Sequence, residues 1–273
     1  MFGIAEEAVA IIEAPPDKSQ GQKQRQTELP DAMDPMDLVK VKKVEMLLDG
    51  GVDVEARSRE RDSATPLIRA ASFGNTSVVR VLLERSAQVE AKDVDGATAL
   101  MRAACACALA TNPGTSDSIT LLQKKGANIE AKNKEGSTAL MEATGYGRVD
   151  IVKLLLQKGA NIAAKDNRGY TALLIAAHGS VWGTADTLKE LLEKGANINA
   201  RDNEGNTPLI LAVSEGDYEE TEILKILLER GVDLGAENNH GDTALTLAIK
   251  KGRPDIVQLL KEAMAKSDCT LIR

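Results

Sequence analysis

A Thr followed by Ala or Pro and then Leu recurs six times along the chain, at Thr65, Thr98, Thr138, Thr171, Thr207 and Thr243. Successive copies lie 33, 40, 33, 36 and 36 residues apart, so the base unit is 33 residues, with seven, three and three residues added in the second, fourth and fifth units. Repetition at such a period constrains the fold strongly. A unit this short cannot bury its apolar flank alone and must stack on its neighbours.

Each unit follows one grammar. Gly stands two residues before the Thr at Gly96, Gly136, Gly169, Gly205 and Gly241, where it supplies a turn of positive φ. The Thr reads as a helix N-cap, and Pro follows it in the TPL stretches of Thr65 and Thr207, at the first helical position where its missing N–H costs nothing. A short Ala-rich helix comes next, as in Ala70-Ala71, Ala103-Ala104 and Ala176-Ala177. A second helix carries paired leucines, Leu82-Leu83, Leu154-Leu155, Leu191-Leu192 and Leu227-Leu228, and stops at Gly126, Gly159, Gly195 or Gly231, in the role of a left-handed cap. An extended arm such as ANIEAK or ANINAR then leads to the next turn. Aromatics make up only 2% of the chain against 43% apolar residues in total, a composition that suits closely packed helices better than a sheet.

From about residue 44 to 263 this grammar closely resembles the ankyrin repeat. The resemblance implies an all-helical solenoid, a stack of helix-turn-helix units joined by short β-hairpin turns. It also implies a concave face made of first helices and hairpins, with the second helices behind. The expected organisation is an N-terminal helix and disordered polar loop over 1–35, a partial unit over 36–57, six repeats over 58–263 and a tail over 264–273. In that scheme GIAEEAVAIIEA is the first helix of the partial unit, so the chain starts inside a repeat; a free N-terminal helix is the competing reading.

Departures from the family pattern set further expectations. The family's usual His position holds Ile68, Met101, Met141, Leu174, Ile210 and Thr246, exchanging a hydrogen-bonded link for apolar contact. Ser63 and Ser86 replace expected glycines, predicting less regular turns in the first full unit. Gln123 replaces the second Leu of a pair, predicting a weak point. The added residues fall between helices, around CALATNPGTSDS, HGSVWGTADT and EGDYEETEI.

Enzymatic sites are not apparent. His178 and His240 are the two histidines, and no metal-protease, phosphate-loop, dinucleotide or zinc-spaced cysteine pattern occurs. DVDG and DNRG are hairpin signals and do not satisfy the calcium-loop pattern. No catalytic, cofactor-binding or metal-binding residue is therefore expected. Cys105, Cys107 and Cys269 form no disulfide framework, which points to the cytoplasm. No window approaches the ~20 apolar residues that span a bilayer. A net charge of −7 argues against nucleic acid, whose phosphates need clustered Lys and Arg. The expected partner is a protein, bound by a monomer.

Positions four, seven and eight after each Thr should face the concave side or its rim. They single out Arg69, Phe73, Arg102, Glu142, Tyr146 and His178. Aromatics and Arg are enriched at interface hot spots, although Phe73 and Tyr146 would equally serve to pack on a neighbouring repeat. Trp182, in the fourth unit's added residues, joins the set either as loop anchor or as contact. The expected function is a non-enzymatic scaffold for protein binding; the alternative is the repeat segment of a larger enzyme, toxin or regulatory protein.

Overall fold

The structure, a computed structural model, describes residues 35–270 apart from 59–61, 106–113, 180–183 and 216–219. Thirteen helices lie among the described residues. The chain divides into two compact units, Met1–Lys134 and Glu135–Arg273. The first holds α1 (Pro35–Asp49), α2 (Pro66–Ser72), α3 (Thr76–Glu84), α4 (Ala99–Ala104) and α5 (Gly114–Lys124). The second holds α6 (Ala139–Gly145), α7 (Val149–Gln157), α8 (Ala172–His178), α9 (Thr184–Glu193), α10 (Pro208–Glu215), α11 (Glu220–Glu229), α12 (Ala244–Lys250) and α13 (Pro254–Thr270). α13 runs past the 263/264 boundary expected for a tail, and the N-terminal helix and loop expected over 1–35 fall almost wholly outside the described residues.

Short first helices start where the sequence predicts. In all six repeats the Thr side-chain oxygen accepts a bond from the backbone N–H three residues on, at 3.2–3.5 Å. That satisfies one of the donors a helix N-terminus leaves open. In the last repeat Thr246 reciprocates, accepting from the Thr243 N–H at 2.8 Å. Gly126, Gly159, Gly195 and Gly231 close the second helices at φ between 75° and 90°.

Ser63 and Ser86 do not loosen the turns of the first repeat. Both adopt the left-handed conformation, at φ 52° and 66°, so the backbone keeps the glycine geometry and carries strain instead. No strand occurs among the described residues. The two sides of a hairpin tip are joined by a backbone bond, such as Asp93 N–H to the Ala97 carbonyl, 3.0 Å, so the tips are short turns.

An acidic or amide side chain five residues before the Thr shapes that turn. Oδ1 of Asp93, Asp166, Asp202 and Asn238 accepts from the backbone N–H groups two and four residues on, at 2.7–3.0 Å. Asx side chains fold turns in this way, so the DVDG and DNRG strings serve structure. Each tip then bonds to the one before. Lys134 N–H donates to the Asp95 carbonyl, and Asn167, Asn203 and Asn239 donate to the carbonyls of Glu135, Arg168 and Glu204, at 2.8–2.9 Å.

The core is built from one register. Leu82, Leu122, Leu155, Leu191 and Leu227 each stand four residues before the residue that closes their helix, and none is more than 1% exposed. Leu154, expected to pair with Leu155 in this role, is half-buried and one place out of register; the second member of the pair is Leu156. Gln123 occupies the matching second position, which is half-buried in most repeats, and its Nε2 donates to the Ala127 carbonyl at 2.9 Å. The polar end is thus satisfied and the weakness expected there is moderated. Apolar substitutes at the family's His position are buried as expected: Ile68, Met101, Met141, Leu174 and Ile210 are at most 2% exposed. The added residues lie between α4 and α5, α8 and α9, and α10 and α11, although most of them are outside the described set.

Candidate protein-binding surface

In the first unit, α2 and α4 present Arg69 and Arg102 four residues after their capping Thr. Arg69 Nη2 lies 3.0 Å from Asp62 Oδ2. Arg102 donates from Nε to Asp93 Oδ2 at 2.7 Å and from Nη2 to Asp95 Oδ2 at 2.6 Å. The Arg102 guanidinium is held above its ordinary pKa: burial works against its charge, but the hydrogen bonds to Asp93 and Asp95 outweigh that. These pairs fix two guanidinium groups beside three carboxylates along a recess of about 300 Å³, which Ile68 and Ser72 also line. Phe73, the C-cap of α2, is 43% exposed.

The second unit builds its ledge differently. Tyr146, the C-cap of α6, is 48% exposed, and Glu142 is half-buried one turn earlier. Ile175 on α8 packs beside Gly145, where an added Cβ would meet its side chain at an ordinary 3.7 Å. His178 ends α8 with its ring centroid 6.2 Å from that of Tyr170, tilted by 51°. The Arg168 guanidinium carbon lies 4.5 Å from the Tyr170 ring centroid, in range for a cation–π contact. Tyr170 in turn covers the buried residues Leu174, Ala200 and Leu211. Leu211 shares the register of Arg69 and Glu142 yet is only 4% exposed, so this member of the series is core.

Sequence reasoning singled out Asp95 and Arg168 only as hairpin-tip residues, and it missed Tyr170 and the carboxylates Asp62 and Asp93. Tyr170 had a signal, an aromatic just before the capping Thr where other repeats hold Ala, Ser, Asn or Asp. Arg69, Phe73 and Arg102 are gathered in the first unit, and Glu142, Tyr146 and His178 in the second. Trp182 lies outside the described residues. Cys105 and His178 belong to different units, and each has local company: Cys105 Sγ lies 3.5 Å from the Arg102 carbonyl, and His178 meets Tyr170. His240 sits exposed at its turn as expected, its backbone N–H bonded to Asn238 Oδ1. Among the described residues no group of three or more His, Cys, Asp or Glu is placed to hold a metal ion, and no helix is long and apolar enough to cross a membrane.

Stacked helix pairs and Asx-closed turns at a constant register define a helical repeat protein. Three copies of a family model described as ankyrin repeats match residues 36–111, 106–202 and 181–271, and the chain belongs to that family. No curated protein matches it. Ankyrin repeats generally serve as protein-interaction modules.

Proposed function

We propose that this chain is a non-enzymatic, cytoplasmic scaffold that binds a protein partner through its first-helix ledges and hairpin tips. The observation that carries the reading is the common register of Phe73 and Tyr146. Both are C-caps of first helices, eight residues after the capping Thr, and both leave over two-fifths of their surface exposed in a chain with six aromatic residues. An exposed aromatic gives a partner apolar area at low entropic cost. The paired guanidinium and carboxylate groups of the first ledge add direction, since held charges favour specificity over raw affinity. Nucleic acid is disfavoured by the acidic balance.

Affinity capture from the native host with the natural chain and with Phe73→Ala and Tyr146→Ala variants tests the reading. Each substitution should weaken the captured complex about tenfold, the ~1.4 kcal/mol or more of a hot-spot side chain, with the thermal midpoint unchanged. Retention of every captured protein by the double variant would remove the ledges from consideration.

A further inference from the structure

Each later second helix packs on the first helix of its own pair, from α3 on α2 to α13 on α12. α1 has no such helix before it among the described residues, and it packs on α3. Register shows what this leaves open. Eight residues before the residue that closes each helix stand Val78, Ser118, Ile151, Thr187 and Ile223, at most 1% exposed, and the leucines four before it are buried as deeply. α1 closes at Gly51, φ 87°. The same two places there hold Lys43, which is exposed, and Leu47, which is only half-buried. Met46 and Val39, 73% and 61% exposed, extend that flank, while Val41 and Val44 are buried on the other.

The open flank has a charge pattern of its own. Around the helix, Val39 and Met46 stand about 20° apart, with Lys42 and Lys43 about 40° to either side. Asp49, at one edge, is engaged by Arg85 Nη1 at 2.7 Å. A flank adapted to water is polar throughout, and this one is not. Its complement is apolar along the centre and carries carboxylates at both edges. GIAEEAVAIIEA, residues 3–14, has that pattern. Spaced as a helix, Ile4, Ala8, Ile11 and Ile12 fall within about 100° of one another, with Glu7 beyond one edge and Glu6 and Glu13 beyond the other.

We propose that residues 3–14 supply the first helix of the α1 pair and cover this flank, their apolar stripe on Val39, Met46 and Leu47 and their carboxylates facing Lys42 and Lys43. The link, residues 15–34, then falls between the first and second helix of a pair, where the added residues of three later repeats also fall. Fully extended, about 20 residues reach roughly 65 Å, against about 22 Å for the length of α1, so the link does not limit where the segment lies along the helix. The inference does not depend on the partner-binding reading, since Phe73 and Tyr146 take no part in it.

Hydrogen exchange of the full chain, followed by mass spectrometry over the amides of α1, is the test. Ile4→Glu with Ile11→Glu should speed exchange in α1 about tenfold, as local opening becomes easier, and leave α6 and α7 unchanged. Met46→Glu should have the same effect, and adding it to the first pair should bring no further change. Lys42→Glu with Lys43→Glu should also expose α1, and Glu6→Lys, Glu7→Lys and Glu13→Lys in the same chain should restore its protection. Natural exchange rates in the Ile4→Glu, Ile11→Glu chain overturn the proposal, as does a charge reversal that the three lysines fail to rescue. Protection of α1 that rises with protein concentration would assign the flank to a second copy, and protection that appears only on adding host lysate would assign it to a separate partner; either result also overturns it.

Discussion

A Cβ atom on Gly169 would stand 2.4 Å from the side-chain oxygen of Asn203 in the following repeat and 2.8 Å from its backbone nitrogen. Gly169 also has φ +81°, so Ala there meets two penalties. The left-handed backbone costs about 1–2 kcal/mol, and the clash falls partly on main chain that cannot swing away. Gly241 has nearly the same φ, +75°, and nothing within 4 Å of the added atom. Urea unfolding should therefore rank Gly169→Ala as costing about 3 kcal/mol and Gly241→Ala about 1 kcal/mol. Equal losses would show that the tip contact contributes nothing.

Ser63 and Ser86 hold the glycine conformation without being glycine. Ser63→Gly and Ser86→Gly should each stabilise the chain, by about 0.5–1 kcal/mol. This is the strain relieved less the added freedom of the unfolded chain. Thermal denaturation of the single and double variants checks it; a lowered midpoint would mean that the hydroxyl groups contribute more than the strain costs.

Asp93 serves a turn and an ion pair together. Its side chain is 1% exposed and accepts from two backbone N–H groups and from Arg102. Asp93→Ala strands all three donors and should cost about 3 kcal/mol, whereas Asp93→Asn keeps the turn acceptor and should cost about 1 kcal/mol. Asn238 already performs the turn role in the last repeat. Similar losses for the two variants would place the energy in the charge alone.

Leu155 and Leu154 are neighbours with unequal duties. Leu155 is 0% exposed and its truncation to Ala should cost about 3 kcal/mol, while the half-buried Leu154 should cost about 1 kcal/mol. Chemical denaturation of both variants reports the register directly, and a reversed order would mean that the second helix of that repeat is rotated from the position described.

Local signals were legible from the chain alone. The capping Thr, the glycines of positive φ and the apolar replacements at the family's His position act within a few residues, and each appears where its spacing places it. The three-leucine run Leu154–Leu156 was ambiguous, because adjacent leucines offer two possible pairs and only distance from Gly159 chooses between them. The state of Arg69 and Arg102 was hidden for another reason. Their carboxylate partners lie seven or nine residues away on a turn whose fold decides whether the charges meet. Tyr170 and Leu211 belong to successive repeats, and no local pattern reveals that one covers the other. The strain at Ser63 and Ser86 was misjudged, since the neighbouring stack holds the turn in a form these residues would not choose.

The bonds from tip to tip run from main chain to main chain, across residues as unlike as Asp62, Asp95, Glu135, Arg168 and Glu204. A joint of that kind is indifferent to the side chain of the accepting residue, while Asn203 and Asn239 add a side-chain bond to the tip before. Mutational drift at those accepting positions can change the surface a partner would meet while leaving the architecture intact, and a designer has the same latitude there.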